Sequence, residues 1–157
     1  MTPSTTLPDE QQLMSSMLTL LKQEQSSLVD AHADGVAEAT VLKSDAVARL
    51  GALARQRHAA LATAGFDAGE SGMEPWLAAH GDAAAGTAWD LLLQFTREAK
   101  ELNRVNGMLV ARHLAHNQTV LNAMRTPATA DGGTAAGLYG PGGQTAGFGA
   151  SRRFVVG

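Results

Sequence analysis

The fold is decided by residues 9–64, which read DEQQLMSSMLTLLKQEQSSLVDAHADGVAEATVLKSDAVARLGALARQRHAALATA. This stretch contains no proline and only two glycines, Gly35 and Gly51. Its apolar or small residues recur at spacings of three and four, which is the pattern of one helix face. We therefore predict a single helix of coiled-coil character, roughly 80 Å long at about 1.5 Å per residue. Gly65 is its predicted C-terminal cap.

Two further helices are predicted after this stretch. Residues 65–72, GFDAGESG, form a predicted loop, and residues 73–79 form a predicted two-turn helix. A second long helix then opens at Asp82 or Thr87 and runs to about Arg125.

The predicted fold class is all-α: a coiled-coil-like antiparallel hairpin of two long helices with a short connecting helix, plus a Gly-rich flexible C-terminal tail. The predicted boundaries are a disordered N-terminus at 1–8, a helical domain at 9–125 and the tail at 126–157. Two helices alone bury little apolar surface. A third helical segment, self-association or a bound partner helix should therefore complete the packing.

Composition and charge exclude several classes of function. The net charge is −3 with no clustered basic residues, so no nucleic-acid partner is predicted. The absence of cysteine excludes disulfides and thiol chemistry. The N-terminus lacks the regions of a signal peptide, and no apolar run approaches membrane-spanning length, so no direct membrane insertion is predicted.

The tail, residues 126–157, combines glycine with aromatic side chains. It holds nine of the 17 glycines and only three charged residues. It also holds three of the chain's seven aromatic residues: Tyr139, Phe148 and Phe154. Because a simple linker has little use for aromatic side chains, we interpret the tail as a segment that orders on a partner.

Asn106 and Gly107, in the second long helix, are predicted to have structural roles. Asn106 falls on the apolar ladder, where a polar residue can fix the register of packed helices. Gly107 lowers helix stability by about 1 kcal/mol relative to alanine, so a close backbone approach is predicted there. The alternative is that Asn106 lies at a solvated edge and Gly107 is merely tolerated.

Three histidines are the main candidates for a chemical site. His113 and His116 lie one turn apart, and a symmetric hairpin, in which facing residue numbers sum to about 146, places His32 opposite them. Such a cluster could bind a metal or respond to pH, so a small helical enzyme or metal protein is one alternative. No acidic residue accompanies them. We predict partly solvated histidines, no metal, no cofactor and no catalytic site.

Several motifs follow one another in a specific order. The first helix carries LTLLKQEQSSLVDA, the connector carries EPWL, and the second helix carries WDLLLQFTREAKELNRVNGMLVARHL with LNxxNG at residues 102–107. LYGPGGQ follows at residues 138–144, and Ser-Arg-Arg at residues 151–153. This order resembles that of the FlgN-type flagellar export chaperones over nearly the whole chain.

The resemblance implies a small cytoplasmic bacterial chaperone of type III flagellar export, and not an enzyme. Its clients would be the hook–filament junction proteins, the hook-associated proteins FlgK and FlgL. It would bind their helical terminal segments, prevent premature assembly and degradation, and deliver them to the cytoplasmic domain of the export gate. The family ties a tail tyrosine to docking on the gate, and Tyr139 is the one tyrosine of this chain.

Apolar residues of the second long helix and of the tail are the candidate client-binding positions. They are Val110, Leu114, Val120, Leu121, Met124, Leu138, Phe148, Phe154 and Val155. Two other interpretations stay open. One is a self-associating helical hairpin, a structural or adaptor protein whose tail is a tether. The other is a type III chaperone for another flagellar client, such as flagellin or a filament cap. Weak self-association also fits the chaperone interpretation.

Overall fold

The computed structural model describes residues 1–125 of the 157, and within this range the chain is helical without strands. The elements are a 3-10 helix at Pro3–Thr6, α1 at Leu7–Val29, α2 at Ala33–Thr63, a 3-10 helix at Glu70–Gly72, α3 at Met73–His80 and α4 at Ala83–Arg125. The predicted all-α class, with long helices packed against one another, is confirmed. The chain divides into two compact units, residues 1–121 and 122–157, and the described part of the second unit is the end of α4.

The predicted single first helix is wrong, because the structure has two helices, α1 and α2, in its place. α1 ends in a Schellman motif. In this motif the N–H of His32 donates to the Ser27 carbonyl at 2.8 Å, and the N–H of Ala31 donates to the Leu28 carbonyl at 3.3 Å. The residue in the left-handed conformation is Ala31, with φ of 53°. Glycine usually occupies that position. Because this chain has alanine there, no glycine in the sequence indicates the turn.

The two ends of α2 show how local sequence fixes a helix. At its start, Nδ1 of His32 accepts a hydrogen bond from the N–H of Gly35 at 3.1 Å and so caps the helix. A Cβ at Gly35 would lie 2.5 Å from Oγ of Ser27 and 2.6 Å from Nδ1 of His32, so a larger residue there would force the capping side chains to move. At its end, Gly65 has φ of 85° within a second Schellman motif. The predicted cap at Gly65 is confirmed.

α1 and α2 form an antiparallel pair. Glu10 near the start of α1 bonds to Arg57 near the end of α2, and Glu24 farther along α1 bonds to Lys43 nearer the start of α2. Residue numbers therefore fall along α2 as they rise along α1.

α4 runs parallel to α1. Nε2 of Gln11 donates to the Ala88 carbonyl at 2.6 Å, and farther along both helices Nδ2 of Asn106 donates to the Leu21 carbonyl at 2.9 Å. Three long helices, α1, α2 and α4, thus run up, down and up within residues 1–121. The third helical segment that the apolar surface required is supplied by the division of the predicted first helix into α1 and α2.

The core is concentrated where α1 and α4 begin and α2 ends. Its main cluster of buried side chains is Leu7, Met14, Leu61, Met73, Trp76, Trp89 and Leu92. A smaller cluster of Met17, Leu21 and Ala46 continues along α1 and α2. Fully burying one large apolar side chain stabilises a fold by about 1.5–3 kcal/mol, so most of the packing energy lies at this end.

The first eight residues belong to the folded bundle, although we predicted them to be disordered. Pro3–Thr6 form a 3-10 helix, and the side chain of Leu7 is 1% exposed in the main core cluster. The hydroxyl of Thr6 donates to the Glu10 carboxylate at 2.7 Å. We predicted disorder because the segment is mostly polar. One buried leucine and one buried hydrogen bond hold it in the bundle.

Candidate functional site

The C-terminal half of α4 is rich in exposed apolar side chains. Five of the predicted client-binding residues lie there, and they are between 38% and 76% exposed: Val110, Leu114, Val120, Leu121 and Met124. The first four belong to the first compact unit, and Met124 belongs to the second. Scattered exposed apolar residues are ordinary, but the four within residues 1–121 lie on one stretch of helix, as apolar residues do on surfaces that bind a partner.

Val110 and Leu114 also line a groove of about 460 Å³ beside the α1–α2 turn. Leu28 of α1 and Val36 of α2 line the same groove. The structure therefore brings two of the predicted client-binding residues together with apolar side chains that the sequence analysis had not assigned to a site. These additional residues could be found only once the turn after α1 was known.

The other predicted binding positions lie outside the described residues. They are Leu138, Phe148, Phe154 and Val155 for the client and Tyr139 for the export gate.

Two of the three histidines are held by hydrogen bonds, and the third is exposed. His32 caps α2, Nε2 of His113 bonds to the Leu28 carbonyl at 2.6 Å, and His116 is exposed. His32 and His113 line the same groove, so they do lie at one level of the bundle. Within residues 1–125, no group of three or more His, Cys, Asp or Glu side chains is placed to hold a metal.

Asn106 is the centre of a polar cluster that joins all three long helices. It is 3% exposed, and its Nδ2 donates to the Leu21 carbonyl and, at 2.7 Å, to the Glu24 carboxylate. Nζ of Lys43 donates to both oxygens of Glu24 at 2.9 Å. A buried polar group with such directional partners favours one register of α4 against α1 and α2.

Gly107, next to Asn106, has free space around it. A Cβ added there would meet no atom of the described residues within 4 Å, and the residue is exposed. The close backbone approach that we predicted for Gly107 is therefore not found within residues 1–125.

A second polar cluster, centred on Arg57, closes the opposite end of the bundle. The Arg57 guanidinium bonds to both carboxylate oxygens of Glu10, at 3.1 and 3.2 Å, and to both of Glu70, at 3.1 and 3.0 Å. Its Cζ lies 4.8 Å from the centroid of the Trp89 ring. We predicted that the numbers of facing residues sum to about 146. Arg57 of α2 and Trp89 of α4 face each other and satisfy this relation. Sequence analysis did not identify this cluster.

The charges of this cluster stabilise one another. Burial disfavours the Arg57 charge, but hydrogen bonds with Glu70 and Glu10 and the attraction of both carboxylates raise its pKa above the ordinary value. Burial likewise disfavours the Glu70 charge, but the Arg57 hydrogen bond and charge, with a smaller contribution from His58, lower the pKa of Glu70 below its ordinary value of 4.5.

Replacing Glu70 by glutamine should reduce the free energy of unfolding at neutral pH by about 0.5–1 kcal/mol, since the Glu70 side chain is 59% exposed and solvent screens the pair. A carboxyl whose pKa is lowered on folding contributes stability above its unfolded pKa and loses it as the pH falls through the folded pKa. Urea titrations should therefore show a difference that persists to about pH 5 and shrinks toward zero below about pH 4. A difference of equal size at pH 3 would show that the contact is not ionic.

The fold and the surface define the class of protein. It is a helical bundle that exposes apolar side chains along α4 and bonds its buried charges to one another. The chain belongs to the FlgN family of flagellar export chaperones: the family profile, described as FlgN protein, matches residues 1–147. This match includes every described helix and the LYG tripeptide of residues 138–140.

The remaining comparisons add no relative. Neither the comparison with curated proteins nor that with solved structures gives a significant match. The family is one of chaperones and not of enzymes, and its members bind flagellar client proteins. A search of the described helices finds no segment with the length and hydropathy of a membrane span.

Proposed function

We propose that this protein is a cytoplasmic chaperone of the hook–filament junction proteins FlgK and FlgL, and that it delivers them to the export gate. In this role it keeps the clients unassembled and protected from degradation. The supporting observation is the exposed apolar surface on the C-terminal half of α4, in a chain that belongs to the FlgN family.

In the proposed mechanism, the apolar face of α4 takes the place of the neighbouring client helix against which a client helix would otherwise pack. Amphipathic client helices would otherwise pack against their own kind. α4 offers them an apolar face, and a helix laid against such a face buries its own apolar stripe. Ordering the tail opposes binding, so affinity is moderate for the area of contact. The client can then be released at the gate without a chemical step.

The tail has two roles in this proposal. Leu138, Phe148, Phe154 and Val155 are apolar anchors that order on the client, and Tyr139 docks the loaded chaperone on the cytoplasmic domain of the export gate. These roles are separable, since the tyrosine is a single side chain and the client anchors are spread along the tail.

Truncation after Arg125 is the direct test. Because the described helices lie within residues 1–125, the shortened chain should keep its helicity by circular dichroism. Its affinity for purified FlgK and FlgL, measured by calorimetry, should fall by about 100-fold or more, since loss of the anchors removes at least about 2.7 kcal/mol.

The matched control is the full chain with Tyr139→Ala. This variant should bind FlgK and FlgL with unchanged affinity but should fail to retain the complex on the immobilised cytoplasmic domain of the gate. Tight client binding by the truncated chain would contradict the role of the tail. If the intact chain binds neither junction protein, the proposed clients are wrong.

A further inference from the structure

A groove follows the side of α4 that faces α2. It consists of three cavities of about 370, 300 and 460 Å³, and the first two share four lining residues. Most α4 residues that line the three cavities fall on one stripe at heptad spacing: Trp89, Leu93, Thr96, Lys100, Asn103, Val110, Leu114 and Asn117. The two adjoining cavities and the third cavity therefore lie along one side of α4, before and after Gly107, and we take them together as one groove.

The groove is shaped to receive a helix. Buried Met17 and Leu21 of α1 form its floor in the middle cavity, and Val47 of α2 stands in the wall, 60% exposed. From Trp89 to Asn117, the α4 residues that line these cavities span about 40 Å at 1.5 Å per residue. A helix of about 28 residues has that length, and a fourth helix would complete a bundle.

Gly107 lies on the same stripe, between Asn103 and Val110, at the spacing of the lining residues. In the described structure no atom comes within 4 Å of the position of its missing Cβ. A glycine in an exposed helix interior is less favourable for the helix than alanine. Against a docked helix, the absent side chain would allow two backbones to approach closely. Such an approach would give Gly107 a packing role, which it does not have within residues 1–125.

The charges lining the groove indicate what the occupant carries. Glu10 and Glu70 are both bonded to Arg57, and Lys43 is bonded to a carboxylate of α1. Lys100 is the charged lining residue without an ion-pair partner among residues 1–125. An acidic side chain on the occupant would complement Lys100.

We propose that this groove seats one amphipathic helix of the client as the fourth helix of the bundle. The apolar face of that helix packs on Met17 and Val47, a small residue lies against Gly107, and an acidic residue lies beside Lys100. This inference rests on the proposed function and assigns the place where the client helix binds. A second copy of this chain fits less well, because two identical concave surfaces meeting about a twofold axis cannot fill each other.

The test adds a side chain where the free protein has room for one. A Cβ at residue 107 would meet no described atom within 4 Å, so Gly107→Leu should project its side chain from this stripe and should not lower the melting temperature, because leucine favours the helix more than glycine does. The control, Gln94→Leu, adds bulk at an exposed position of α4 on the other side of the helix. In calorimetry with purified FlgK and FlgL, Gly107→Leu should weaken binding by about tenfold or more, and Gln94→Leu by less than about twofold.

A charge reversal provides an independent measurement. Lys100→Glu should weaken client binding by about tenfold at low salt, and the difference from the unchanged chain should shrink as salt is raised. Since Lys100 is exposed and unpaired within residues 1–125, this change should leave the fold intact.

The outcomes separate the groove from the function on which it rests. If the unchanged chain binds FlgK or FlgL and both Gly107→Leu and Lys100→Glu bind equally well, the groove is not the client seat. If light scattering shows a dimer that Gly107→Leu dissociates, the occupant is a second copy and the proposal is overturned. If the unchanged chain binds neither protein, the proposed clients fail, and the assignment of the groove fails with them.

Discussion

Arg57→Met is expected to lower the free energy of unfolding by about 3–5 kcal/mol, because it leaves the Glu10 carboxylate buried without its cation. The Arg57 side chain is 2% exposed and that of Glu10 is 4% exposed, so water cannot replace the lost partner. The change also removes the guanidinium from the face of Trp89. Urea denaturation followed by circular dichroism measures the loss.

Two controls separate the buried charge from ordinary side-chain effects. The double variant Glu10→Leu, Arg57→Met should recover most of the loss, since well-packed apolar residues often replace a buried ion pair without penalty. Arg49→Met removes an arginine that is 64% exposed and 3.8 Å from Asp45, and it should change stability by about 0.5 kcal/mol or less. Equal effects of Arg57→Met and Arg49→Met would show that the Arg57 cluster adds no stability.

Asn106→Asp should destabilise the fold by about 3 kcal/mol or more. The amide nitrogen of Asn106 donates to the Glu24 carboxylate at 2.7 Å, and the substitution places a second carboxylate there. Two like charges then share a buried site, and the hydrogen bond to the Leu21 carbonyl is lost. The same denaturation experiment measures this effect.

Asn103→Asp and Asn106→Leu are the matched variants for this change. Asn103 is exposed one turn earlier on α4, so the same chemical change there should alter stability by about 0.5 kcal/mol or less. Asn106→Leu removes the hydrogen bonds without adding charge, and Glu24 keeps its bonds from Lys43. It should therefore destabilise by about 1–3 kcal/mol. If Asn106→Asp is no worse than Asn106→Leu, repulsion with Glu24 is absent.

Helix periodicity and caps could be predicted wherever the deciding chemistry is local. Gly65 marked the end of α2, and the apolar spacing before Arg125 marked α4. The turn at Ala31 could not be predicted in the same way, because its motif uses an alanine where glycine is usual. That one turn reverses α1 and makes it parallel to α4, which changes every facing pair along α1.

The two polar clusters differ in how they could be predicted. Asn106 interrupts an apolar ladder, so its burial could be anticipated from the sequence alone. Arg57 stands in Arg-Gln-Arg-His, which is typical of an exposed helix face, and its partner Glu10 lies 47 positions away. Only the packing of α1 against α2 identifies that pair. The groove likewise requires three helices to be in place.

The uneven core gives the two ends of the bundle different local stabilities. Opening the end that holds Trp76, Trp89 and the Arg57 cluster disrupts most of the buried apolar surface, so it approaches global unfolding. At the α1–α2 turn, the buried apolar residues are Leu28 and Ala39. Local opening there therefore exposes little buried apolar surface. The part of the proposed groove beside this turn should therefore be able to adjust to helices of different sequence through small fluctuations, while the opposite end preserves the fold.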